Sequence, residues 1–214
     1  SSKNGPGTDD MDERDRRDDP AGMEKSARFG YLKIPFREKV HRVRSHFDTV
    51  AEKYDFMNSL LSFGIHLLWK RTAMRMSDLN AGDRVIDMCG GTGDLSILAA
   101  RDVSPSGRVV LFDINRRMIE KAKAKLVKSA FGGPIWLVQG DAEEISFPDD
   151  RFDAALVGFG IRNLTDMEKG FKEMHRVLKP GGRLMCLEFS RPTAPAFRWL
   201  YDFYSFRVMP LLGW

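Results

Sequence analysis

The chain has 214 residues, 43% of them hydrophobic, enough for one α/β core and too few for a second of similar size. Its 34 Lys and Arg stand against 30 Asp and Glu, a near-balanced surface with a formal net charge of +4, so charge alone does not call for nucleic acid. No run approaches the roughly 20 apolar residues of a membrane span and no charged-then-apolar leader is present, which points to a cytoplasmic setting.

Residues 1–27 mix Gly, Pro and dense charge with little to bury and are expected to form a disordered tail, leaving residues 28–214 as one domain. Val40, Val43, Phe47 and Val50, then Leu60, Leu61, Ile65, Leu68 and Trp69, predict helices between Pro35 and Asp78. From Arg84 onward β-rich runs alternate with amphipathic helices. Strands are predicted at Arg84–Met88, Arg108–Asp113, Ile135–Gln139, Phe152–Phe159 and Arg183–Phe189, and helices at Asp94–Arg101, Arg116–Lys128 and Met167–Leu178. Pro180-Gly181-Gly182 reads as the turn between the last helix and strand. This alternation predicts a doubly wound, mostly parallel sheet that binds ligands beyond the carboxyl ends of its strands. Cys89 and Cys186 sit in apolar runs at strand ends and read as buried free thiols rather than a disulfide or metal pair.

Gly90-Gly91-Thr92-Gly93 follows the first predicted strand, which carries Asp87, and opens a helix, where a backbone can approach a ligand without side chains in the way. Counted from Gly91, the third glycine of a dinucleotide fingerprint falls on Ser96, so a nucleoside without pyrophosphate fits better. Asp113 ends the next strand, roughly 20 residues on, where a carboxylate can accept from both ribose hydroxyls. Asp141 can accept from an adenine amino group, Ala142 offers backbone contacts, and Gly158 and Phe159 end the fourth strand beside the same crevice.

With these residues in place, the sequence resembles the class I methyltransferases, and among them the ubiquinone/menaquinone biosynthesis C-methyltransferases. The resemblance rests on Phe47 to Asn58, on Ser62-Phe63-Gly64-Ile65-His66, Trp69-Lys70 and Asp87 to Asp94. It continues through Phe159-Gly160-Ile161-Arg162-Asn163, Arg176 to Gly182 and Leu187 to Pro192. It implies a Rossmann-like fold, S-adenosylmethionine as cofactor, and C-methylation of a demethylated polyprenyl quinol of the naphthoquinol or benzoquinol type. Cofactor contacts carry over to Thr92, Asp113, Asp141 and Ala142, and to Gly158, where many relatives have Ser. Relatives also continue beyond the stretch corresponding to Pro210–Trp214 into a helix and two closing strands. The segment Phe29 to Pro35 leans toward the menaquinone pathway.

The implied chemistry needs an ionised ring hydroxyl. Arg162 is the candidate catalytic residue, stabilising the oxyanion; the plainer reading pairs it with a carboxylate such as Asp166. Tyr54, Asn58, Phe159 and Asn163 are the candidate acceptor contacts. His66 is a candidate proton acceptor, but alone in an apolar helix it reads first as packed or solvated, and nothing supports a metal site. The aromatic stretch Phe197–Val208 reads as core packing, a prenyl-tail channel, or both; with the basic Lys33–Arg44 segment it suggests peripheral membrane contact. A homodimer is compatible with the sequence. A nicotinamide-dependent oxidoreductase and a catalytically silent binding subunit of a quinone-synthesis assembly are the competing readings.

Overall fold

The computed structural model describes residues 26–29, 32–50, 64–129, 133 and 135–189. A short antiparallel hairpin, β1 (Ser26–Phe29) and β2 (Leu32–Pro35), precedes α1 (Phe36–Val50) and α2 (Ile65–Met76). The hairpin has no counterpart in the sequence reading: four-residue strands are too short for an alternation to stand out. There follow β3 (Arg84–Met88), α3 (Asp94–Val103), β4 (Arg108–Asp113), α4 (Arg116–Lys128), β5 (Ile135–Gln139), β6 (Phe152–Gly158), a 3-10 turn (Ile161–Asn163), α5 (Met167–Val177) and β7 (Leu178–Leu187).

The five strands β3 to β7 pair in parallel in the order β5-β4-β3-β6-β7. The chain winds outward from β3 through β4 to β5, then returns to the other side of β3 for β6 and β7. That reversal opens a crevice at the carboxyl ends of β3 and β6. The central strands read as near-continuous apolar runs because both faces are covered. On one face Ile86, Met88, Val110, Phe112, Ala155 and Val157 pack against Met174 and Val177 of α5. On the other, Val85, Val109, Ala154 and Leu156 pack against Leu95, Ala99 and Val103 of α3 and Met74 of α2.

Beyond shifts of one or two residues at element ends, two features of the sheet region differ from the prediction. The helix α5 ends at Val177 and β7 begins at once, because Leu178 pairs with Phe152 while Arg183 pairs with Ala154. Lys179–Gly182 therefore forms a bulge inside β7 rather than a turn before it. Gly181 takes φ +79° there, and Lys179 bonds Asp153 across the bulge. The other departure is Cys186, which is exposed, whereas Cys89 is half-buried; both are free thiols.

Candidate active site

At the carboxyl ends of β3 to β6 lies a cleft, open to solvent, with about 790 Å³ between its atoms. Gly91, Asp113, Asp141, Ala142, Gly158, Phe159 and Asn163 are all on its wall, so these residues, separated by up to 72 positions in the chain, converge.

The glycine turn is built by backbone that favours glycine. Cys89, Gly91 and Gly93 have φ of +52°, +55° and +85°, which reverses the chain from β3 into α3. A Cβ on Gly90 would lie 2.7 Å from Cγ of Leu111, so the turn sits directly on β4. The amide of Gly91 donates to Oδ2 of Asp113 (2.8 Å) and that of Asn115 to Oδ1 (2.7 Å). Burial pushes the Asp113 carboxyl up, and these two donors hold it back. A carboxylate has about four acceptor positions, so two remain for a vicinal diol. Asp141 accepts from the amide of Glu143 (2.9 Å), a local turn that presents Asp141 and Ala142 to the cleft.

Gly90, Thr92 and Asp87 stand behind this wall. Thr92 is buried, and Asp87 is 1% exposed, with Oδ2 accepting from the Ser96 hydroxyl (2.6 Å) and Oδ1 without a partner among the described residues. Burial drives the Asp87 carboxyl up to about 7, against the opposing pull of the Ser96 bond and the Lys70 charge.

On the far side, Phe159 has φ +58° and its ring stacks on Phe189 with centroids 4.5 Å apart; Trp69 closes edge-on to Phe189 at 5.6 Å. The 3-10 turn sits against the glycine turn, since a Cβ on Gly160 would lie 2.4 Å from Cβ of Cys89. Within it Asn163 faces the cleft, while the Arg162 side chain is half exposed and off the wall. Its Nη2 lies 3.1 Å from Oε1 of Glu188 and its guanidinium 5.0 Å above the Phe189 ring. The carboxylate partner is thus Glu188; Asp166 instead caps α5 by accepting from the amide of Lys169. His66 is buried on α2. Tyr54, Asn58 and the aromatic stretch 197–208 lie outside the described residues.

Several wall residues escaped the sequence reading. Ile114, Asn115 and Met118 border the cleft where β4 enters α4; the signal was the Asn115 N-cap, which accepts from the amide of Met118 (3.0 Å). Val43 and Phe47 of α1 also face the cleft, although their spacing marked them only as an apolar helix face. Glu143 lines it too. The described wall therefore carries three carboxylates, Asp113, Asp141 and Glu143, and no Lys, Arg or His.

Residues 36–214 match the model of the ubiE/COQ5 methyltransferase family. The ubiquinone/menaquinone biosynthesis C-methyltransferase UbiE of Hahella chejuensis is 49% identical over 185 residues, covering 86% of this chain and 74% of that protein. The enzyme of the same name from Francisella tularensis subsp. novicida is 47% identical, covering 88% and 76%. A SAM-dependent methyltransferase structure from Aquifex aeolicus shares the fold at 20% identity, with a TM-score of 0.53 over 63% of this chain and 76% of that one. The chain belongs to the ubiE/COQ5 methyltransferase family.

Proposed function

We propose that the protein transfers the methyl group of S-adenosylmethionine to a ring carbon of a demethylated polyprenyl quinol, either a demethylmenaquinol or its polyprenyl-methoxy-benzoquinol counterpart. The carrying observation is the charge of the cleft wall, three carboxylates without a described cation. Such a wall suits a nucleoside bearing positive charge and disfavours a pyrophosphate, which is the case against a nicotinamide enzyme. Family membership supplies the reaction class and the lipophilic acceptor.

S-adenosylmethionine, when bound, supplies an electrophilic methyl group on a sulfonium centre. Asp113 would accept from the ribose hydroxyls, Asp141 and Ala142 would meet the adenine edge, and the turn Gly90–Thr92 would hold the amino-acid end, with Asp87 behind it. Phe159 offers an aromatic face to the acceptor ring, and Asn163 a hydrogen-bonding group beside it. A quinol ring carbon becomes nucleophilic as its hydroxyl ionises. The Arg162 guanidinium, with donors beyond the one facing Glu188, stabilises that oxyanion rather than removing the proton. Holding ring and cofactor in line supplies much of the acceleration.

Among the described residues no helix is long and apolar enough to cross a membrane. We place the acceptor's loading at a lipid surface, through peripheral contact by Lys33–Arg44 or the 197–208 stretch; protein that fails to float with liposomes would count against this. Calorimetric titration tests the function directly. Saturable binding of S-adenosylmethionine is expected, and none of NAD. The reverse preference would establish the oxidoreductase, and binding without transfer to any quinol the silent subunit.

A further inference from the structure

Two charged side chains, one buried and one half-buried, hold the backbone of the turn that carries Arg162 and Asn163. Lys39, on α1, is 5% exposed, and its ammonium donates to the carbonyl oxygens of Leu164 and, at 3.4 Å, of Arg162. Glu143, from the loop after β5, accepts at one oxygen from the amides of Thr165 (2.5 Å) and Asp166 (3.0 Å). Four backbone groups between positions 162 and 166 are thereby bonded to two opposite charges that also attract each other. A short 3-10 segment contributes few hydrogen bonds of its own, so such outside contacts determine where its side chains point.

Glu143 and the helix that carries Lys39 also reach the cofactor wall. Glu143 lines the cleft and, through its amide, forms the local turn with Asp141. Lys39 lies one helical turn before Val43 and two before Phe47, both cleft residues, and the far end of α1 is fixed where Oδ1 of Asp48 accepts from Nδ2 of Asn115 at 3.0 Å. One wall of the adenosine cleft and the anchor of the acceptor turn are thus the same helix.

We infer that Lys39 and Glu143 are positioning residues for the methyl-transfer reaction, fixing the Arg162–Asn163 turn against the cofactor cleft. This deepens the function proposed above and rests on it. Neither side chain touches the reacting atoms; each acts through the backbone of the turn. A displacement of about 1 Å at a reacting centre costs up to about 100-fold in rate, so the anchor bears on turnover rather than on cofactor affinity.

The test compares K39M, K39R and E143Q with the wild-type chain in three measurements. Hydrogen exchange followed by mass spectrometry should quicken in peptides spanning residues 161–166 in K39M while the β3 and β4 peptides stay protected. With S-adenosylmethionine and a demethylated quinol, kcat of K39M should fall about 10- to 100-fold with cofactor Kd within about threefold, and K39R should recover part of the loss because a guanidinium can still donate to the two carbonyls. E143Q, which keeps one acceptor oxygen, should fall between wild type and K39M. Unchanged exchange at 161–166, unchanged kcat, or a joint loss of cofactor affinity and kcat in K39M would overturn the inference. If the wild-type chain methylates no quinol, the function reading fails, and the exchange comparison still decides whether Lys39 anchors the turn.

Discussion

Replacing Asp87 with asparagine probes a carboxyl group that burial holds against ionisation. The carboxylate is 1% exposed, takes one hydroxyl bond from Ser96 and, among the described residues, leaves Oδ1 without a partner. Its folded value of about 7 against an ordinary 3.8 means that the folded chain holds this proton more tightly than the unfolded one. Unfolding therefore releases a proton between those values, and the wild type loses stability as pH rises from about 4 through 7. The loss attributable to Asp87 is at most about 4 kcal/mol, taking 1.36 kcal/mol per pH interval of one. The amide introduced by D87N cannot ionise, so denaturant titrations at pH 5, 6, 7 and 8 should show a declining wild-type curve relative to a flatter D87N curve. A positively charged cofactor beside the turn selects the ionised carboxylate. Wild-type affinity should then be about tenfold weaker at pH 6 than at pH 8, and D87N affinity nearly pH-independent. Parallel curves for the two proteins in both measurements would refute the assignment.

R162A should lower kcat by about 100-fold or more while leaving cofactor Kd unchanged, read by steady-state kinetics and calorimetry; unaltered turnover would remove Arg162 from the chemistry. D113N loses the charge and one of two acceptor oxygens, so its amide NH2 faces the N–H of either Gly91 or Asn115. S-adenosylmethionine should bind more weakly by about tenfold or more, and the unpaired buried donor should lower the melting temperature by a few degrees; undiminished affinity would place the ribose elsewhere. In G140A the new Cβ would fall 2.2 Å from Cζ of the fully buried Phe112. The clash should cost about 2 kcal/mol, a fall of roughly 4–8 °C in Tm by calorimetry, and a wild-type melting curve would contradict that close approach.

Much of the sheet was legible because its central strands β3, β4 and β6 are buried on both faces and therefore read as nearly unbroken apolar runs between turn signals. β3, β4 and β5 fall where Arg84–Met88, Arg108–Asp113 and Ile135–Gln139 predicted them. The bulge at Lys179–Gly182 was misread because Pro180-Gly181-Gly182 carries the same local signal in a turn and in a bulge; only the pairing of Leu178 with Phe152 separates them. In the cleft, residues at strand ends were readable because a parallel sheet directs those positions to one edge. Lys39, Val43, Phe47 and Glu143 were not, since their places depend on where α1 and the loop after β5 pack. Arg162 lies in the loop after β6, as its position in the chain predicted, but its contact with Glu188 joins two segments that no local pattern relates.

The most direct test supplies S-adenosylmethionine carrying an isotopically labelled methyl group together with demethylmenaquinol or the benzoquinol counterpart, and locates the label in the product by mass spectrometry. One labelled methyl on a ring carbon and an equivalent of S-adenosylhomocysteine are predicted. Label on a hydroxyl oxygen, or no transfer to either quinol by protein that binds the cofactor, would contradict the proposed reaction.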